Sequence, residues 1–232
     1  MSHRWKPIVA CLSLLVFAVA GGCGGGTGGD AKQPAATAND ATKKTDPPEG
    51  AAQAAPTPKA NRDLDHPVVE IETSKGKITV ELDRKNAVNT VDNFLSYVGA
   101  SFYDKTIVHQ VFKGEAILAG MYDTNLAVKP GRTPIRNEAA NGLKNVRGTI
   151  AMNRWPNSID SATSEFLINV ADNPKLDYKA RTAAGYGYCV FGKVTQGMEV
   201  VDAIAGLELR DTTTLERTPA VPVIVTSIRR IR

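Results

Sequence analysis

From Gly24 to Asn61 the chain carries no Val, Ile, Leu, Met, Phe, Trp or Tyr. A segment built mostly of Gly, Ala, Pro, Thr, Asp and Lys has nothing with which to offset the entropy of ordering its backbone, so it contributes no core. Residues 23–63 therefore read as a disordered Gly/Ala/Pro-rich tether. Whatever folds must do so in residues 64–232, a length suited to one domain. A domain of that size buries roughly 70% of the surface its unfolded chain exposes and needs no metal or disulfide to be stable.

The residues before the tether have a different purpose. Arg4 and Lys6 precede an apolar run from Ile8 to Ala20, followed by Gly21, Gly22 and Cys23. The run is shorter than the ~20 apolar residues that span a bilayer as a helix, so it reads as a cleaved export signal over residues 1–22. Ala20-Gly21-Gly22-Cys23 resembles the lipobox of bacterial lipoproteins, which implies acylation at Cys23. Acyl chains contribute ~0.8 kcal/mol per buried CH₂, and several on one cysteine would hold the protein at a membrane surface. The expected location is the cell envelope, with the domain in the periplasm or otherwise outside the cytoplasm. The same residues also allow ordinary secretory cleavage near Ala20.

The formal net charge is +4, with Lys and Arg scattered among acids. No basic stripe or aromatic ladder suggests nucleic acid as a partner. Of the three cysteines only Cys189 falls in the folded part, between Tyr188 and Val190, and it reads as an inert buried thiol.

Within the folded part, Val68–Thr73 and Lys77–Leu82 are rich in β-branched residues and flank a Ser74-Lys75-Gly76 turn, which predicts a hairpin. Val88, Val91, Phe94, Leu95 and Val98 recur at helical spacing within 86–101. Short strands are predicted at 107–112, 117–119, 149–152, 166–170 and 190–194, a second helix at 198–205 and a closing strand at 221–228. Many short strands with two separated helices predict a mainly β domain, a closed antiparallel barrel capped by two helices, because closure removes exposed edges.

Several segments are similar in order and spacing to cyclophilin-type prolyl isomerases. They are Asn86–Leu95, Phe102–His109, Asn137–Asn145 with Arg147–Met152, Ser161–Asn169 and Gly187–Val194. The resemblance implies an eight-stranded barrel and rotation about the peptide bond before proline, in exported proline-containing polypeptides, by a monomer. No cofactor or metal is implied.

Carried over position by position, the resemblance places the catalytic arginine at Gln110, a neutral residue where charge-assisted hydrogen bonds would be roughly twice as strong. The aromatic and methionine of the proline pocket fall at Glu115 and Ala116, and the pocket glutamine at Leu118, followed by Ala119-Gly120 where the family has Gly-Gly. Asn153 and Arg154 occupy the stretch that binds the residue preceding proline, and Glu165 replaces a second glutamine. Leu167 takes the place of the phenylalanine that forms the pocket floor, Lys175 that of a rim aromatic beside Leu176, and Tyr188 that of a histidine. His109 is implied to be structural, and Trp155 to lie on a loop beside the groove.

Segments that build the barrel match, whereas groove positions have changed chemistry. An unpaired carboxylate at Glu115 would cost several kcal/mol or draw water in, so proline turnover should suffer. Two functions follow, an extracytoplasmic isomerase of reduced activity and a membrane-tethered peptide-binding or scaffold module that no longer isomerises. A third, a ligand-carrying β-barrel lipoprotein, would require a large interior cavity.

Overall fold

The computed structural model describes residues 64–232. The signal sequence, the tether and Cys23 lie outside the described residues.

The chain opens with the predicted hairpin, β1 (Val68–Thr73) and β2 (Gly76–Leu82), in which Val69 faces Val80 and Ile71 faces Ile78. Helix α1 (Val88–Gly99) follows and buries Val91, Phe94, Tyr97 and Val98 on one face. It begins later than the periodicity predicts because the Asp83 carboxylate accepts from both the backbone N–H and the side-chain amide of Asn86, holding that residue in a turn. The residue before the helix, Ala87, has no side-chain oxygen to offer the first-turn N–H groups. Glu138, far along the chain, supplies it: its carboxylate accepts from Asn89 N at 3.2 Å and from Thr90 N at 2.9 Å.

Strands β3 (Thr106–Phe112), β4 (Ala116–Asp123), β5 (Thr149–Met152), β6 (Phe166–Asn169) and β7 (Val190–Gln196) precede helix α2 (Met198–Ala205). A short pair, β8 (Leu209–Arg210) and β9 (Thr218–Pro219), was not predicted; each has two residues, too few for a period to register. The last strand is β10 (Val223–Arg230). Among the described residues eight strands close a barrel in the order β1-β10-β3-β4-β6-β5-β7-β2, every pairing antiparallel.

The lumen is filled. Phe94 of α1 lies 5.2 Å from Phe191 and 5.7 Å, edge to face, from Phe166, and Tyr103 lies 5.6 Å from Phe166. Val201 and Ile204 of α2 join the same cluster as Val69, Ile78, Val80 and Ile150. Close packing of this kind fits a structural core and not the roomy lumen of a ligand carrier.

The alternation along four adjacent strands positions the site. Ile117 and Ala119 of β4, Ile150 and Met152 of β5, Phe166 and Ile168 of β6, and Phe191 of β7 point into the lumen. The residues between them, Ala116 and Leu118, Ala151, Leu167 and Val190, gather in a second cluster on the outer wall. Within β4, Gly120 holds φ at +95°, and a Cβ there would stand 2.7 Å from the Ser164 carbonyl and 2.9 Å from the Tyr103 ring. The retained glycine is thus required by the backbone, not by the groove.

Cys189 is buried and within 3.4 Å of the Thr90 hydroxyl. Burial pushes its thiol from the ordinary 9.0 up to about 12, in keeping with an inert residue. A folded-state value above the unfolded one means stability held below the unfolded value and lost as pH rises toward the folded one. A Cys189→Val variant is expected to lose less stability than the natural protein between about pH 9 and pH 12 in urea unfolding. Parallel loss in both proteins would refute this.

Candidate functional site

Strand β3 carries an irregularity that aims its side chains. Val108 pairs with Ala119 and Gln110 with Leu118, so the register shifts between Val108 and Gln110. Val108 and Val111 both face the lumen with His109 and Gln110 between them. Such bulges re-aim side chains next to functional sites. Gln110, opposite Leu118, is thereby placed on the outer wall, where Phe112 also borders the apolar cluster.

That cluster consists of Ala116, Leu118, Ala151, Leu167, Leu176, Tyr188 and Val190, edged by Phe112 and Leu143. Five of the residues the resemblance sets in the pocket, Ala116, Leu118, Leu167, Leu176 and Tyr188, therefore meet in one buried apolar cluster. Ala151 and Val190 belong to the same cluster. The residue pattern missed them because their strands are apolar on both faces and show no alternation to the eye.

Gln110 is 4% exposed. Its Nε2 donates to the Glu216 carbonyl at 3.3 Å, and its Oε1 is buried with no hydrogen-bond partner. The Glu216 acceptor decides which end of the amide carries the nitrogen, so the oxygen is the end left over. Next to Glu216, the exposed Arg217 sets its guanidinium 4.9 Å over the Phe112 ring and holds φ at +58°.

Glu165 is engaged by two neighbours. Its Oε1 lies 2.7 Å from His109 Nε2, and its Oε2 accepts from Asn153 Nδ2 at 2.6 Å. His109 is fully buried, as the resemblance implied. The Asn153 side chain serves this network, and its backbone N–H donates to the Glu165 carbonyl at 2.9 Å. Arg154 is likewise occupied within the protein. Its guanidinium donates to the carbonyls of Gly187 at 2.8 Å, Ala183 at 2.7 Å, Trp155 at 3.0 Å and Pro156 at 3.2 Å, and stacks 5.2 Å over the Tyr188 ring. Arg154 positions the Tyr188 wall and the loop that carries the half-exposed Trp155. Burial pushes the Tyr188 phenol up, so it stays neutral through the physiological range.

The expectation of an unpaired carboxylate at Glu115 is overturned. Glu115 Oε1 lies 2.7 Å from Lys175 Nζ. The two residues that the resemblance sets at aromatic positions are partners, joining the start of β4 to the 3₁₀ turn Pro174–Leu176. Both are partly exposed, so the pair is worth no more than about 1 kcal/mol, but it removes the cost of an isolated charge at the basin's edge. Sequence separation hid this pairing.

Three buried amides also escaped notice. Asn173 Nδ2 donates to the Glu115 carbonyl at 2.9 Å and to Asn169 Oδ1 at 2.7 Å, and Asn169 Nδ2 donates to Asn145 Oδ1 at 3.3 Å. Asn145 Nδ2 in turn reaches the carbonyls of Leu176 at 3.1 Å and Tyr188 at 3.3 Å. This network ties the turn bearing Lys175 and Leu176 to β4 and to the Tyr188 wall. Only the placement of Asn145 and Asn169 in segments similar to the family hinted at it.

The outer wall of the filled barrel thus carries a second apolar cluster flanked by buried polar groups. A sequence model described as cyclophilin type peptidyl-prolyl cis-trans isomerase/CLD matches residues 68–230, and the chain belongs to that family. It is 43% identical over 161 residues to peptidyl-prolyl cis-trans isomerase cyp18 of Streptomyces antibioticus, covering 69% of this chain and 96% of that one. It is 40% identical over 161 residues to peptidyl-prolyl cis-trans isomerase B of Escherichia coli, covering 69% and 98%. A crystal structure of a Cryptosporidium parvum cyclophilin type isomerase, solved in the presence of the dipeptide Ala-Pro, superposes with a TM-score of 0.61 at 24% identity, covering 71% of this chain and 99% of that one. The fold is the cyclophilin barrel.

Proposed function

We propose that the domain isomerises X-Pro bonds in exported polypeptides more slowly than members that carry the arginine. It acts as a monomer, held in the cell envelope by a lipid on Cys23. The observation that carries the reading is that Ala116, Leu118, Leu167, Leu176 and Tyr188, the positions the resemblance sets in the proline pocket, fall in one apolar cluster on the outer wall. Its support is a chain 40% to 43% identical to bacterial isomerases over nearly their whole length.

Rotation about an X-Pro bond must break amide resonance against a barrier of ~18–20 kcal/mol. In the twisted state the imide nitrogen pyramidalises and its lone pair localises, so a donor aimed at it stabilises that state more than either planar isomer. A neutral amide whose Nε2 is held 3.3 Å from the Glu216 carbonyl gives little of this. The apolar basin still offers burial for the ring.

The unpartnered Gln110 Oε1 favours a second reading, a tethered module that binds peptide without turning it over. Exchange NMR on a short X-Pro peptide separates the two. Isomerisation faster than the uncatalysed reaction supports the enzyme, and a rate equal to it eliminates the enzyme. The anchor is tested by fractionation: Cys23→Ala is expected to move the protein from the membrane fraction to the soluble one. Retention of the variant in the membrane would exclude the lipid.

A further inference from the structure

The loop 211–217 between β8 and β9 is tied down at both ends. The Thr212 N–H donates to the Leu215 carbonyl at 2.7 Å, the Leu215 N–H to Thr212 Oγ1 at 2.8 Å and the Arg217 N–H to Asp211 Oδ1 at 2.9 Å. Strand β3 fixes its exit, since the Arg217 carbonyl accepts from Val111 N at 3.0 Å and Thr218 Oγ1 donates to the His109 carbonyl at 2.9 Å. These contacts hold Arg217 at φ +58°, a left-handed backbone that is unfavourable for any residue with a Cβ and free to glycine. Strain of this kind clusters at binding sites.

What arginine adds there is its side chain. The exposed guanidinium sits 4.9 Å over the Phe112 ring, and among the described residues no carboxylate pairs with it, not even that of the adjacent Glu216. Arg84, Arg147 and Arg229 by contrast each lay their fork on a carboxylate, those of Asp92, Asp202 and Asp104. Phe112 packs at the border of the cluster that holds Ala116, Leu118, Leu167 and Leu176. We infer that Arg217 determines specificity, binding the carboxylate of an aspartate or glutamate one or two residues after the proline of a bound peptide.

The inference rests on the proposed reading that this wall receives X-Pro peptides, and it specifies which ones. The resemblance sets the residue before proline at Asn153 and Arg154. The ladder joins that end to the Ala119 rung of β4, because Met152 pairs with Phe166 and Phe166 with Ala119. Phe112 pairs with Ala116, toward the opposite end of β4. An extended peptide with its X residue at the first end therefore continues past proline toward the second. Neighbouring strands lie about 4.8 Å apart and an extended residue advances about 3.3 Å, so the first or second residue after proline comes within a side chain's length of Arg217. A planar fork offers a carboxylate two parallel donors, and the ring beneath holds the fork in place. Glu115 does not cancel this charge, since Lys175 holds it at 2.7 Å.

The test uses end-capped peptides, Ala-Ala-Pro-Xaa-Xaa with Glu, Gln or Lys at both Xaa, titrated into the full protein at low salt and followed by amide chemical shifts. The Glu peptide is expected to bind about fivefold more tightly than the Gln peptide, the gain of one exposed charge-assisted pair, and the Lys peptide more weakly than either. Salt at about 1 M should bring the Glu-to-Gln ratio close to one. In Arg217→Gly, whose backbone suits the left-handed position, the ratio is expected to fall to about one, and in Arg217→Lys, which keeps the charge and loses the fork, to about two. With Xaa-Xaa-Ala-Pro-Ala, where the acids precede proline, the ratio should also be about one.

Equal affinity of the natural protein for the Glu and Gln peptides would overturn the inference and leave the X-Pro reading intact. A fivefold preference that survives Arg217→Gly would overturn it as well, and would assign the recognition to Lys113 or Lys175. So would an equal preference for acids placed before proline. Binding of none of the peptides would refute both the inference and the reading beneath it.

Discussion

An Arg154→Ala variant is expected to melt about 10 °C below the natural protein, the largest stability loss of any single change at the site. Arg154 is 7% exposed, and its guanidinium satisfies the carbonyls of Gly187, Ala183, Trp155 and Pro156 while stacking on Tyr188. Truncation leaves those acceptors in a space that a methyl cannot fill. Losing a set of hydrogen bonds to a charged donor costs about 3 kcal/mol, and each kcal/mol lowers the melting temperature of a domain this size by about 2–4 °C. Arg154→Lys should recover little, since one ammonium cannot span carbonyls that a planar fork reaches in several directions. Thermal unfolding followed by circular dichroism measures this. A shift under about 2 °C for Arg154→Ala would mean that the guanidinium is not a strut for the Tyr188 wall.

Gln110→Arg is expected to raise kcat/KM on an X-Pro peptide about tenfold. A preorganised donor at a developing charge is worth 10²–10³ where the surroundings support it, and here they do not. Leu118, opposite Gln110, cannot accept a hydrogen bond to brace a guanidinium. The edge of the basin is an ion pair, Glu115 with Lys175 at 2.7 Å, instead of apolar rings. Adding Glu115→Phe and Lys175→Trp together should carry the gain to about a hundredfold, chiefly by lowering KM, since burying the proline ring is worth roughly 1.5–3 kcal/mol in an apolar wall. Changing Glu115 alone would leave the Lys175 ammonium without its carboxylate. Full recovery from Gln110→Arg by itself would show that the altered wall does not limit turnover.

Much of the fold was legible because the first hairpin, α1 and the strands announce themselves by period. Phe94 and Val98 sit four apart on one helix face, and Ile78 and Val80 alternate on one strand. The site was legible only in its membership. Leu118 and Leu167 could be assigned to a pocket by resemblance, but apolar residues on both faces of β4–β7 conceal which of them face outward. Partnerships were hidden for a different reason. The Glu115–Lys175 pair, the cap that Glu138 gives α1 and the carbonyls around Arg154 each join residues distant in sequence, which no local pattern can reveal. The reading of Glu115 as an unpaired charge failed on that point. The bulge at His109 was equally invisible, although it is what sets Gln110 on the outer wall.

The chain is a cyclophilin barrel, and the reading proposed for it turns on the neutral amide of Gln110 at the position where the resemblance sets an arginine. The most direct measurement is kcat/KM for one X-Pro peptide, determined by exchange NMR for the natural protein and for Gln110→Arg under the same conditions. The account predicts measurable but weak catalysis by the natural protein, with the variant about tenfold faster. Equal and high rates for the two would contradict it, and would point to the Arg217 guanidinium over Phe112 as the donor.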